Sequence, residues 1–354
     1  MEIKAAVTPK KGEEFEIKEV KLPELTSKDV LIKVVTSGIC HTDVSGRDTD
    51  MVNPPSVLGH EGSGIVESVG DEVTAVEKGD HVVVSFSSCG ECENCLNDHP
   101  AYCKKYGELN LNSHIDETNT LVDRFFGQSS FATYSLTNER NVVKIDKDID
   151  LTLAAPLGCG LQTGASTVLN VLKPEEGSSI AVYGVGSVGL SAIMAAKIAG
   201  CKNIIAVDLH DNRLELAEEL GATATINSKN ENAVDKIKEI TGNGVENALD
   251  TTGVDEVIEQ AVAALDTFGK LAFVVTDFGF SIPFMDLVIG GRQIIGSTQG
   301  DAIPQKFIPQ LIDYYKEGKF PFDKMVTMYE FDDINKAFED SENGSVLKPI
   351  LKIG

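Results

Sequence analysis

Along the first 150 residues, apolar positions come in short β-branched runs such as VLIKVV, SGIVESV and DHVVVSF. Glycine, proline and acidic turns separate them. This pattern predicts an all-β barrel or folded sheet. Met1 to Val20 interleaves charges with apolar residues and reads as strands joined by a turn. From about Leu161 the period changes. SSIAVYG is a strand and SVGLSAIMAAKIAG a helix; NIIAVD and NRLELAEELGA repeat the pair. ATIN, a helix from Ala233 to Ile240, NALDTTG, a helix through Glu256 to Leu265, and KLAFVV continue the alternation. Short apolar strands alternating with amphipathic helices predict a doubly wound parallel sheet, so the chain is α/β. Two further helices, near Ile308 to Glu317 and Asp333 to Asp340, precede a closing strand, LKPILKI. At 354 residues the chain is expected to form two domains.

Nothing at the start of the chain resembles a signal peptide, and the longest apolar stretch, Leu190 to Val207, is interrupted by Lys197 and Lys202. It is too short and too charged to span a bilayer, so a cytoplasmic location is expected. A formal charge of −24 argues against nucleic acid or an anionic membrane as partner, because both reward positive charge. Seven cysteines without a secretory signal point to metal or redox chemistry rather than disulfides.

Four of them, Cys89, Cys92, Cys95 and Cys103, lie in CGECENCLNDHPAYC. Four closely spaced thiolates in a turn-rich segment suit a closed, structural zinc site. Spacing alone leaves an iron–sulfur cluster open as the alternative. Cys40 in SGICHTD, His60 and Glu61 in LGHEGSG, and Cys159 in PLGCGLQTG are scattered. Taken singly, each reads equally well as a core cysteine or a carbonyl-bonded histidine. The run Gly184, Val185, Gly186, Ser187, Val188, Gly189 follows a strand, opens a helix, and has Asp208 closing the next strand. That context makes it a dinucleotide fingerprint, with the pyrophosphate over the helix N-terminus. Asp208 would accept hydrogen bonds from the ribose hydroxyls and repel a 2′-phosphate. Leu209 and His210 bring no arginine to welcome one, so NAD is favoured over NADP.

On GICHTD, GHEGSG, the four-cysteine lobe, GCGLQTG and GVGSVG, the chain resembles the zinc-containing medium-chain dehydrogenases over its whole length. On Arg47–Asp48, FFGQSSFATYS, PLGCGLQTGA and KFPFD it is most similar to the aryl-alcohol (benzyl-alcohol) dehydrogenases, a group that includes geraniol-oxidising members. The resemblance implies a GroES-like β-barrel catalytic domain over residues 1–160, with the zinc lobe at 89–103. A Rossmann NAD-binding domain would follow over 161–298, with a return to the catalytic domain over 299–354. It also implies two zinc ions per chain: a catalytic one on Cys40, His60 and Cys159, with Glu61 close behind, and a structural one in the lobe. Asp43 would orient the histidine, and Thr42 would bond the substrate alcohol and pass on its proton. Thr163 would pack on the nicotinamide and Arg213 would reach the adenosine ribose, with His41 and Lys348 near the pyrophosphate. Ser45 stands where the best-known animal and plant members carry the histidine that ends the proton relay.

The activity implied is reversible oxidation of a primary, aromatic or allylic alcohol to its aldehyde by hydride transfer to NAD, in a homodimer or homotetramer. A glutathione-dependent formaldehyde dehydrogenase shares both metal sites and is the alternative; a non-catalytic NAD- and zinc-binding protein is a remoter one. Segments near Ser85–Phe86, residues 106–126 and Thr298 are expected to line the substrate pocket.

Overall fold

The computed structural model describes residues 1–275 and 284–354. The chain divides into two compact units. The first comprises Met1–Cys159, Ile303–Ile312 and Phe322–Gly354; the second comprises Gly160–Ala302 and Asp313–Pro321.

In the first unit the strand Asp29–Gly38 is the organising element. Val30, Ile32 and Val34 alternate inward, and Val30 and Ile32 pack with Val66, Val82, Val84 and Val142, each burial contributing about 1.5–3 kcal/mol. Antiparallel partners are Gly62–Val69, Tyr134–Asn138 and Lys348–Lys352; His81–Val84 and Val142–Ile145 extend the sheet beyond Gly62–Val69. Glu2–Thr8 pairs with Glu16–Lys21 and Ser56–Val57 in a second, smaller sheet. A helix at His41–Asp48 follows the organising strand directly. HTDVSGRD lacks an apolar stripe, so the pattern of the sequence does not announce it.

Among the described residues, the second unit holds a six-stranded sheet in the order Ala224–Asn227, Asn203–Asp208, Ser179–Tyr183, Val245–Asp250, Leu265–Phe273, Gln293–Gly296, every pairing parallel. Strand order reverses at Ser179–Tyr183, where such sheets bind ligands beyond the carboxyl ends of their strands. The helix Ser187–Ile198 buries an unbroken run from Gly189 to Ala196, which explains its apolar composition. A helix at Gly160–Ser166, continuing as a π-helical turn over Thr167–Leu172, has no counterpart in the sequence pattern. All of GLQTGAS is buried, so it shows no amphipathic period. Gln299 and Gly300, placed after the boundary at 298 suggested by the sequence, belong to the second unit; Gly300 accepts a hydrogen bond from Ser166 Oγ at 2.7 Å.

Candidate active site and metal centres

Within the first unit, the ends of three elements bring Cys40, His60, Glu61 and Cys159 together. Cys40 N-caps the helix His41–Asp48, His60 and Glu61 precede the strand Gly62–Val69, and Cys159 follows the short 3-10 helix Ala155–Gly158. One ligand atom from each lies within 4.8 Å of all the others. Asp43, fully buried, ties the ends together. Its Oδ2 accepts from the Cys40 amide at 3.0 Å; its Oδ1 accepts from the Gly59 amide at 3.0 Å and lies 2.9 Å from His60 Nδ1. With Nδ1 committed to the carboxylate, His60 Nε2 is buried without a hydrogen-bond partner among the described residues. A buried ring nitrogen beside two thiols is what a metal ion would satisfy.

The electrostatics favour a cation there. Burial opposes a charged imidazole, yet Asp43 and then Cys40 outweigh it and raise His60 to about 10. Cys159, and then His60, hold the Cys40 thiol well below its usual range, while Cys159 is pushed well above its own by Cys40 and by burial. Burial raises the Glu61 carboxyl against the pull of Lys348, whose Nζ lies 2.8 Å from Oε1 and 2.6 Å from Oε2. Lys348 also donates to the Ile39 carbonyl at 3.1 Å and is 2% exposed. Sequence reasoning put Lys348 near a pyrophosphate; in the structure its ammonium is spent on Glu61. The sequence gives no signal of this pairing. Thr42 Oγ1 is 3.9 Å from Cys40 Sγ, and His41 is exposed on the first turn of the same helix.

Of the other five cysteines, Cys89, Cys92, Cys95 and Cys103 form a separate cluster, again with all sulfurs within 4.8 Å, and Cys201 stands outside both clusters. Cys89 Sγ lies 3.9 Å and Cys92 Sγ 3.5 Å from Cys95 Sγ. Thiolates around one tetrahedral zinc stand about 3.8 Å apart given Zn–S bonds near ~2.3 Å, so the cluster suits a single ion and is too tight to enclose several irons. Backbone amides of Cys89, Cys92, Lys104 and Lys105 point at its sulfurs at 3.3–3.5 Å. The Lys104 amide, then that of Cys95, lowers Cys92 to about 6, whereas burial and its neighbours push Cys95 up to about 12.

In the second unit, Gly184 takes φ +79 directly after its strand, and a Cβ there would meet the Thr251 and Thr252 side chains at 2.6 and 2.7 Å. A Cβ on Gly189 would overlap the Gly184 carbonyl oxygen, so helix and loop approach closely only with glycine. Gly186, the N-cap of the helix, faces open space within 4 Å, room that an approaching phosphate needs. The carbonyl of Val188 lies so close to Gly164 that a Cβ there would overlap it. Asp208 is held rigidly, accepting from the Val185 amide at 2.8 Å, the Leu209 amide at 2.7 Å and the His210 amide at 3.0 Å. Arg213 stands 4.0 Å from the same carboxylate, its Nε buried and unpartnered among the described residues. Thr163 is buried, with its Oγ1 3.5 Å from Gln299 Oε1.

The chain is similar to known proteins over its length. The alcohol dehydrogenase GroES-like domain family matches residues 26–147, and the zinc-binding dehydrogenase family matches residues 187–317. A geraniol dehydrogenase of Castellaniella defragrans is 40% identical over 98% of this chain and 96% of its own. Among solved structures, a benzyl alcohol dehydrogenase from Acinetobacter calcoaceticus is 48% identical, with TM-score 0.96 and 100% of both chains covered. An alcohol dehydrogenase zinc-binding domain protein from Burkholderia ambifaria is 43% identical, with TM-score 0.97, covering 100% of this chain and 99% of that one. From the metal-ready thiol and imidazole clusters, the glycine-lined strand-to-helix turn and these relatives together, the chain belongs to the zinc-dependent medium-chain alcohol dehydrogenases, enzymes that oxidise an alcohol with zinc and NAD.

Proposed function

We propose that this enzyme prefers a primary alcohol whose carbinol carbon is attached to an aromatic ring or a double bond. Cys40, His60 and Cys159 hold the catalytic zinc, and Cys89, Cys92, Cys95 and Cys103 the structural one. The observation that carries the reading is the aromatic surrounding of the zinc-ready imidazole. Phe126 stacks on His60 at 4.5 Å between ring centroids, and Phe86, Tyr106 and Phe126 continue as a chain of rings 6.1 and 6.4 Å apart. Tyr106, the half-buried ring of that chain, would favour a flat, polarizable substrate over a short aliphatic or polyhydroxy one, with the buried Phe86 and Phe126 behind it. The geraniol and benzyl alcohol dehydrogenases named above agree in substrate class.

Zinc supplies a Lewis acid that makes the alcohol proton labile, and NAD accepts the hydride. The chain supplies the rest. Asp43 fixes the His60 tautomer through Nδ1, Thr42 Oγ1 would accept the alcohol proton while its own hydroxyl proton passes outward to water, and Glu61 adds a negative charge behind the ligands. In the second unit Gly184, Gly186 and Gly189 would admit the pyrophosphate, Asp208 and Arg213 would meet the adenosine ribose, and Thr163 would pack on the nicotinamide. The test is NADH formation with benzyl alcohol, geraniol, ethanol, sorbitol, and formaldehyde plus glutathione. The highest kcat/KM is expected with benzyl alcohol or geraniol. Ethanol in first place would overturn the substrate class, and activity confined to formaldehyde with glutathione would replace it.

We also propose a homo-oligomer built on the second unit. Among the described residues, Gln293–Gly296 is an edge strand, and the preceding helix leaves Phe284, Met285, Val288 and Ile289 65–79% exposed. A second copy that extends the sheet edge and covers those side chains removes both liabilities. A monomeric mass in solution would overturn it. We also propose a cytoplasmic location, where thiols such as those assigned to the two zinc sites stay reduced.

A further inference from the structure

The segment from Phe125 to Ser130 wraps His60 on two sides. On the ring side, Phe126 lies face to face with the imidazole (4.5 Å, 26°) and Phe125 meets it edge-on (5.6 Å, 85°). On the backbone side, Gln128 Nε2 donates to the His60 carbonyl at 2.9 Å while its Oε1 accepts from the Gly62 amide at 3.0 Å. Ser130 N donates to the Gly59 carbonyl at 2.9 Å. To reach this path the backbone enters the left-handed region at Phe126 (φ +50), Gly127 (φ +64) and Ser129 (φ +47). A bulky aromatic residue avoids that region unless its surroundings over-determine it. Here they do. Ser129 Oγ accepts from the Phe125 amide at 2.8 Å and donates to the Val57 carbonyl at 2.6 Å, and Asn141 Nδ2 donates to the Phe126 carbonyl at 3.1 Å. Phe126 is 3% exposed, so its ring is fully committed.

We infer that Phe126 is a positioning residue for His60: its ring, held by a strained strap, sets the tilt of the imidazole so that Nε2 meets the metal. The Asp43 contact pins Nδ1 but leaves the ring free to tilt about that hydrogen bond. The stacked face of Phe126 removes this freedom. The inference rests on the reading of His60 as a zinc ligand and adds a residue whose role is orientation rather than contact with substrate.

The test uses the zinc-loaded full chain and the rate at which a chelator such as dipicolinate removes each ion, with Cys40→Ser identifying the phase that belongs to the catalytic site. Phe126→Leu keeps bulk without the flat face, and Phe126→Gly removes the ring while relieving the left-handed backbone. Release from the Cys40, His60 and Cys159 site is expected to quicken about tenfold in both variants, with release from the four-cysteine lobe unchanged. After cobalt replaces the catalytic zinc, its ligand-field bands should shift and broaden in the same variants. Wild-type release and unaltered bands in a folded Phe126→Leu protein overturn the inference. Equal acceleration at both sites also overturns it, since that marks general loosening. If Phe126→Gly does not fold, Phe126→Leu decides. Metal analysis of the unsubstituted chain separates the underlying reading: no zinc at Cys40, His60 and Cys159 would remove both.

Discussion

Two full charges, those of Glu61 and Lys348, face each other inside the first unit with side chains 0% and 2% exposed. Removing one partner of such a pair strands the other in a medium that solvates it poorly, at a cost of about 3–5 kcal/mol. Lys348→Met should therefore lower the thermal midpoint markedly. Adding Glu61→Gln should recover part of the loss, because no charge then remains unpaired; scanning calorimetry of the single and double variants checks both. The pair also marks where residue-level reading of the sequence stops. Cysteine and histidine in metal-ready contexts were legible as types. Residues 61 and 348 lie nearly a whole chain apart, and no spacing rule connects them. The same holds for Phe126, which the sequence places in a segment expected to line the substrate pocket and the fold sets against His60.

At the scale of elements, the glycine-lined turn separates two roles that one motif combines. A side chain at Gly186 meets nothing within 4 Å, so Gly186→Val should leave the thermal midpoint unchanged while weakening NAD binding tenfold or more, about 1.4 kcal/mol. Gly189→Ala should do the reverse, costing about 1–3 kcal/mol of stability because its methyl group collides with the Gly184 carbonyl. Titrating NAD fluorometrically beside a melting curve checks the contrast. The four-cysteine lobe has a different signature. Cys95→Ser should lower metal content from two zincs to one per chain and destabilise the protein, since a closed site contributes folding energy. Cys40→Ser should lose one zinc and turnover while the fold survives. Metal analysis with chemical denaturation checks the pair. Strands such as Asp29–Gly38 were legible because burial on one face writes itself as alternation. The helix Gly160–Ser166 was not, because an element buried all round carries no period.

For the molecule as a whole, a charge of −24 means mutual repulsion across the surface in the compact state. Raising salt from about 10 to 150 mM shortens the Debye length from about 30 to 8 Å, so the thermal midpoint should climb over that range with sodium chloride. A flat response would mean that local ion pairs already balance the repulsion. The two metal centres differ in how their ligands are distributed along the chain. The four sulfurs of the lobe lie within residues 89–103, whereas the other cluster gathers Cys40, His60 and Cys159, and Glu61 meets its lysine only in the last strand, Lys348–Lys352. Synthesis runs from the amino terminus at about 5–20 residues per second, so the two sites become available at different moments. The lobe can capture its ion as soon as a short stretch clears the ribosome. The other site must wait for Cys159, and Glu61 waits until all of Gly160–Ala302 has been made. The zinc supply of a growing cell is thus drawn on twice by each nascent chain, first for architecture and only later for chemistry.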